Sequence, residues 1–234
     1  MKKISIIIPV YNEAAALLSN LPLLQNFRAA GHELIVVEGG ENGDGGARFA
    51  HWVDHWVISE AGRAKQMNAG AQLAMGDVLL FLHIDTLLPE EGLAPIEEAF
   101  KRLGCVWGRY DVRLSGKRAV FRVIEFMINL RSRVSGVATG DQAIFIRRSL
   151  FKQLGGFPDI PLMEDVAISK LLRSKAAPVC LRSKVTTSSR RWEKHGVLRT
   201  IFLMWKIRAL YFFGVAPSKL HGMYATKDAQ KHKA

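Results

Sequence analysis

Two side chains able to ligate a metal, His83 and Asp85, stand two residues apart directly after the apolar run Val78-Leu79-Leu80-Phe81-Leu82. An imidazole nitrogen and a carboxylate oxygen together suit a divalent cation, and a cation at such a point would hold a diphosphate. If the chain stays extended through them, both project to one side while Ile84 points back to the core. The structural alternative is a polar strand end in which His83 bonds backbone and Asp85 caps a turn. Glu164 and Asp165 open an apolar-periodic stretch that runs to Leu172. Carboxylates there satisfy capping and the helix dipole, and a carboxylate is also what a general base requires. Arg63 and Lys65 fall in the first turn of a helix entered through Gly62. Cations oppose the positive end of a helix, so a bound anion is the better reason for them. A polar stretch beginning at Thr186 ends in Arg190-Arg191-Trp192, two further cations and an aromatic.

The elements that must position these residues alternate. Five apolar residues in a row predict a strand covered on both faces, as in a parallel sheet, and open α/β sheets bind ligands at the carboxyl ends of such strands. Further strands are predicted at Ser5–Val10, Glu33–Glu38, Trp56–Ile58, Val106–Leu114, Ala143–Ile146 and Val179–Val185. Asn12 is placed to cap a helix, Pro22 to split it with Asn20 capping the second piece, and Gly31 to end it. Five glycines among residues 39–46 allow close approach of backbone to a ligand, although the spacing is neither a Walker loop nor a dinucleotide fingerprint. Helices are predicted over Ala47–Trp52, from Gly62 onward and over Glu91–Leu103. Arg118, Arg122, Glu125 and Asn129 make one polar helical stripe opposite Phe121, Val123, Ile124, Met127 and Leu130, which predicts a helix packed through its apolar side.

With 234 residues, 49% of them apolar, the chain can bury one good core. The net charge of +12 points to anionic partners: phosphates, nucleic acid or an anionic membrane surface. Cys105 and Cys180 are the only cysteines, no CxxC occurs and nothing resembles a secretory leader, which predicts a cytoplasmic protein with contact at the inner membrane face left open. Residues 196–214 are the most apolar long segment, but Arg199, Lys206 and Arg208 interrupt it below the roughly 20 residues a bilayer span needs. Lying in a membrane interface, packing on the domain and packing on a second copy as a homodimer all remain open for the basic 194–234 segment. No helix-turn-helix, zinc or RNA-binding sheet pattern appears, so nucleic acid is the less expected partner.

Taken in order, the motif from Ile6 to Glu13 (IIIPVYNE), the glycine-rich turn, Gly62–Ala71 (GRAKQMNAGA), Phe81–Asp85 (FLHID), Gly155-Gly156-Phe157 and Glu164-Asp165 resemble the inverting family 2 glycosyltransferases of GT-A fold. The likeness covers about the first 190 residues. GRAKQMNAGA, HxD in place of DxD and the RRW segment look most like a small bacterial subgroup linked to arsenosugar biosynthesis. The resemblance implies an α/β, mostly parallel central sheet flanked by helices, with residues 1–192 as the transferase domain and 193–234 as a basic, apolar helical extension. It implies transfer of one sugar from a nucleotide-sugar donor, a UDP-sugar by preference, to a hydroxyl acceptor, dependent on Mn2+ or Mg2+. Pro9, Tyr11, Glu13, Glu38, Arg63, Lys65, Asn68, His83, Arg190 and Arg191 would meet the donor, Glu38 standing where an Asp is usual. Asp85 and His83 would hold the metal, Asp165 would be the general base, and Asp141, Glu164 and Trp192 would line the acceptor side. Asp44 is displaced by one position from the family pattern, and the Gln of QxxRW is missing, which favours single transfer over polymer synthesis. The alternatives are a nucleotidyltransferase acting on a sugar phosphate and a non-enzymatic nucleic-acid-binding protein.

Overall fold

Seven consecutive buried residues make β1 (Ile4–Val10) a central strand, and β2 (Glu33–Gly39) and β4 (Val78–Phe81) flank it in parallel. β3 (His55–Ser59) extends the parallel half beyond β2. The rest of the sheet is mixed: β7 (Ile144–Arg147) runs antiparallel to β4 and to β6 (Trp107–Leu114), β8 (Val179–Thr187) runs parallel to β6, and β5 (Thr86–Leu87) closes the edge antiparallel to β8. The order among the described residues is β3-β2-β1-β4-β7-β6-β8-β5. Parallel pairings outnumber antiparallel ones, as expected. The computed structural model describes residues 3–40, 46–101 and 105–229. Asp44 therefore lies outside the described residues, with most of the glycine-rich turn.

Helices cover both faces. One core joins Ile6, Ile8, Leu80 and Tyr110 to Leu17 of α1 (Ala14–Asn20) and to Ile96 and Phe100 of α5 (Ala94–Lys101). The other joins Ile7, Val37, Leu79 and Ile146 to α4 (Arg63–Leu73), α7 (Arg148–Gln153) and α8 (Glu164–Arg173). α2 (Gln25–Ala29) and α3 (Gly46–Phe49) are short. Asn12 does not cap α1: it lies at φ +54, and Glu13 holds the cap position without a side-chain bond. Nor does the Asn20 side chain cap the helical turn after it, because its amide donates 64 residues away to the Ile84 carbonyl at 2.6 Å.

α6 (Ala119–Ser135) corrects the sequence expectation in part: Phe121 and Ile124 pack inward as expected and Arg118 is exposed, but the far half of the polar stripe is buried and the far half of the apolar side is not. Glu125 and Asn129 are buried, while Val123, Phe126, Met127, Leu130 and Val134 are exposed. The reason is the backbone of β6 beneath it. The Leu114 N–H donates to Glu125 Oε1 at 2.6 Å, and Asn129 both accepts from the Val112 N–H and donates to the Val112 carbonyl. Buried backbone groups must be paired, and here two side chains do what a neighbouring strand would do.

α9 (Arg190–His195), α10 (Val197–Phe212) and α11 (Pro217–Ala229) complete the chain. Trp192, Val197 and Ile201 pack with Phe121 and Ile124 of α6, and Ile207 and Leu220 are fully buried against Met163 at the start of α8. Arg199 and Lys206 stay exposed on α10, while Arg208 turns inward. No helix among the described residues is long and apolar enough to cross a membrane.

Candidate active site

The antiparallel return of β7 brings the residues preceding it to the carboxyl edge of the parallel strands, since Ile144 pairs with Phe81. Gly140 thereby meets His83: a Cβ at that glycine would come within 2.7 Å of His83 Cε1. Glycine alone permits the approach.

The chain does not stay extended through His83 and Asp85. The strand ends at Phe81, and the Thr86 N–H donates to the His83 carbonyl at 3.0 Å, closing a turn. The bend is required because Thr86 must pair with Thr187 of β8. Strand alternation therefore does not set the two directions, yet both residues feel the Arg63 guanidinium at the start of α4. Burial, and then Arg63, hold the His83 imidazole down to about 3, so the ring is neutral and one nitrogen keeps its lone pair. Burial raises the Asp85 carboxyl against the pull of Arg63 and Arg190. Glu13 is raised by burial and then by Asp85, which places the two carboxylates in one field with the same two arginines.

Asp165 acts on the same Arg63. Its Oδ2 accepts the Gly140 N–H at 2.9 Å and its Oδ1 accepts the Val166 N–H at 2.7 Å. Burial raises its proton affinity, these two bonds and Arg208 lower it, and Asp141 raises it again. Glu164 beside it is pushed up to about 7 by burial and by the Asp165 charge. Met163, directly before the two carboxylates, sits at φ +69; a side chain in this left-handed region costs about 1–3 kcal/mol. Arg63 gathers the arrangement. It is solvent-exposed in area yet walled in, and although burial opposes its charge, Tyr224, Glu164, Asp165 and Asp85 together bind its proton more firmly.

Other expected site residues are placed differently. Lys65 pairs with Glu60 and lies 4.0 Å from Asp159, outside the carboxylate cluster. Both ends of the Asn68 amide are taken by the Phe157 backbone, at 2.8 and 2.9 Å. Trp192 sits in the apolar cluster under α6 instead of facing the cleft. Arg191 is held by Tyr224, its guanidinium 3.8 Å from the ring centroid and bonded to the hydroxyl. Glu38 accepts from the Trp56 indole at 3.3 Å at the end of β2, Tyr11 is 56% exposed and Pro9 is buried in β1. Asp141 flanks Asp165, with its Oδ1 buried and lacking a donor.

Sequence reasoning missed Gln66, whose amide donates to the Val10 and Val37 carbonyls and ties the ends of β1 and β2 together. It also missed Arg131, Tyr211 and Tyr224, which reach the site from α6, α10 and α11. For Arg208 a signal existed: it falls on the opposite helical face from Arg199 and Lys206.

No cluster of three or more His, Cys, Asp or Glu side chains suited to a metal occurs among the described residues. A neutral imidazole and a carboxylate are nonetheless donor types that fit a divalent cation.

The family model described as Glycosyl transferase family 2 matches residues 5–155. The chain belongs to glycosyl transferase family 2. No curated protein sequence matches it. Among solved structures, this family 2 glycosyltransferase is similar to S. aureus TarS 1-349, with TM-score 0.60 at 18% identity over 80% of this chain and 60% of that one. It is also similar to the mannosyltransferase PcManGT from Pyrobaculum calidifontis in complex with GDP-Man and Mn2+, with TM-score 0.62 at 19% identity over 96% and 69%. TarS 1-349 in complex with UDP-GlcNAc aligns with TM-score 0.60 at 18% identity, over 80% and 58%. The chain thus spans about 60% of the TarS fragment's length, and these likenesses show a shared GT-A fold. Family membership agrees with the sugar-transfer expectation.

Proposed function

We propose that the protein transfers one sugar from a nucleotide-sugar, by preference a UDP-sugar, to an acceptor hydroxyl with inversion at the anomeric carbon. The observation that carries this reading is the field around Arg63, which unites Asp85 at the end of β4 with Glu164 and Asp165 at the start of α8. Donor and acceptor chemistry need one site, and a single guanidinium here acts on carboxylates from both elements. Asp165 takes the proton of the acceptor hydroxyl, whose oxygen bonds to the anomeric carbon as the bond to the leaving phosphate oxygen breaks with its electron pair. Asp165 points its oxygens by accepting two backbone N–H groups, so a single carboxylate has a fixed direction of attack. Arg63 and Arg190 offset the charge of the departing diphosphate. His83 and Asp85 would hold a divalent cation, manganese by preference given the imidazole, and when bound it supplies further neutralisation of that diphosphate. Asp141 and Glu164 line the acceptor side. The subgroup linked to arsenosugars is supported by the GRAKQMNAGA, HxD and RRW stretches.

The neighbours bound to UDP-GlcNAc and to GDP-Man with Mn2+ support a nucleotide-sugar donor. We also place the protein in the cytoplasm against the inner membrane face. Leu198, Phe202, Trp205 and Phe212 make one exposed stripe on α10, beside the exposed stripe of α6. A second copy docked there would set the same cations Arg199 and Lys206 against themselves, which disfavours a homodimer through this face.

Thermal-shift measurements with nucleoside diphosphates, with and without manganese, test the donor site. We expect a manganese-dependent rise in Tm for the uridine compound, and transfer abolished in Asp165→Asn with that rise retained. Loss of both together would remove Asp165 as the base, and no shift with any nucleotide would sink the donor reading.

A further inference from the structure

Two arginines that the sugar-transfer step does not use act on Asp165 or are acted on by it. Arg131 comes from α6 and Arg208 from α10, two helices packed together through Ile128, Val197 and Ile201; both side chains are half-buried and lie within electrostatic reach of each other and of Asp165. Arg208 is held in place because Ile207 beside it is fully buried in the cluster with Met163 and Leu220. Arg131 is anchored by its neighbour Ser132, 1% exposed.

Neither guanidinium is satisfied. Arg131 Nε and Nη2 and Arg208 Nε are buried without a hydrogen-bond partner. No carboxylate lies within ion-pairing distance of either one among the described residues. Burial and the adjacent Arg208 pull the Arg131 proton affinity down to about 10, the direction expected of two like charges taken out of water together. Such a pair is costly unless an anion completes it. Asp141 Oδ1, also buried, lacks a donor. Unused cationic donors and an unused acceptor therefore lie within electrostatic reach of the carboxylate that removes a hydroxyl proton.

We propose that Arg131 and Arg208 bind a phosphate group on the acceptor, and that Asp141 accepts from one of its hydroxyls. The acceptor class is a hydroxylated phosphate ester. The inference rests on the transferase reading for which substrate it concerns, but the subsite itself binds phosphate whether or not the donor reading holds. The planar fork of an arginine suits phosphate oxygens, and two forks from different helices fix its position against Asp165. The phosphate could belong to a soluble ester or to a lipid headgroup, since α10 also carries the exposed apolar stripe.

Isothermal titration of the full chain, without divalent cation, tests the subsite with three probes: glycerol 3-phosphate, inorganic phosphate and glycerol. The wild type should bind the two phosphates and not glycerol. Arg131→Gln and Arg208→Gln should each weaken glycerol 3-phosphate about tenfold to a hundredfold, the worth of a lost charge-assisted bond. Lys101→Gln, which removes an exposed cation elsewhere, should leave binding unchanged. Circular dichroism checks that each variant folds, and two variants on different helices keep the test open if one does not. A second arm uses vesicles of phosphatidylcholine with and without phosphatidic acid. Binding only to the phosphatidic acid vesicles, lost in Arg208→Gln, assigns the phosphate to lipid, while binding of glycerol 3-phosphate assigns it to a soluble ester. No phosphate binding in either arm, or binding unchanged in both arginine variants, overturns the proposal. Nucleoside diphosphate titrations run in parallel separate the two readings: loss of nucleotide binding alone counts against the donor site, and loss of phosphate binding alone against this subsite.

Discussion

At the scale of single residues, the site is governed by charges held close together and partly dry. Glu164 is the sharpest case, because burial and the Asp165 charge push it up to about 7. A carboxyl raised in the native state binds its proton more tightly there than in the unfolded chain. Its contribution is thus fully present below the ordinary glutamate range near 4.5 and is lost as pH rises through about 7. Urea midpoints measured against pH should fall across that window in the wild type, while Glu164→Gln should flatten the fall and be the more stable protein at pH above 7. Parallel profiles would mean that Glu164 ionises normally. Asp85→Ala should weaken nucleoside diphosphate binding in the presence of manganese by on the order of tenfold or more, read by titration calorimetry. Part of this arrangement was legible from types and order alone: Asp85, His83, Glu13, Arg63, Arg190 and the Glu164-Asp165 pair were singled out by sequence, and the fold brings them into one another's electrostatic reach. Asn68 and Lys65 show where that reading stops, because a motif position does not reveal whether a side chain serves the ligand or the loop beside it. The backbone of Phe157 and the carboxylate of Glu60 decided those two.

At the scale of elements, α6 is the instructive departure. Its pair Glu125 and Asn129 reads as part of a solvent face by the usual pattern, and their burial became visible only once the unpaired backbone of β6 lay beneath them. No periodicity reports a partner's missing hydrogen bonds. Replacing Asn129 with Leu would leave the Val112 N–H and carbonyl without their bonds, and should lower stability to urea by about 2–4 kcal/mol, each stranded buried group costing about 1–3 kcal/mol. Val123→Ser on the exposed side of the same helix should change it little. Equal losses from the two would mean that the helix is seated through its apolar side after all. The strands were easier to foresee, since runs such as Ile4–Val10 and Val78–Phe81 are buried throughout and admit few other fates.

At the scale of the whole molecule, the exposed apolar residues are not scattered. α6 and α10 meet through Ile128, Val197 and Ile201, so their outer stripes border one seam, with Lys117, Arg118, Lys194, Arg199 and Lys206 exposed on the same helices and their entries. Apolar and aromatic side chains with a cationic fringe suit the interface of an anionic bilayer. Co-sedimentation should show the protein on phosphatidylglycerol-containing vesicles and not on phosphatidylcholine alone, and Phe202→Ser with Trp205→Ser should release it. Retention of the double variant would move the contact elsewhere. The seam was out of reach from the sequence because Val123, Met127 and Leu130 of α6 read as packed residues and are exposed.

Trp205 has a practical consequence. Of the five indoles in the chain it is the one that stands 60% open, whereas Trp107 is wholly enclosed. Red-edge fluorescence from the unlabelled protein therefore originates mainly at α10, where added iodide should reach it first. The molecule carries its own optical probe on the face that matters, and no dye has to be attached to watch that face become covered.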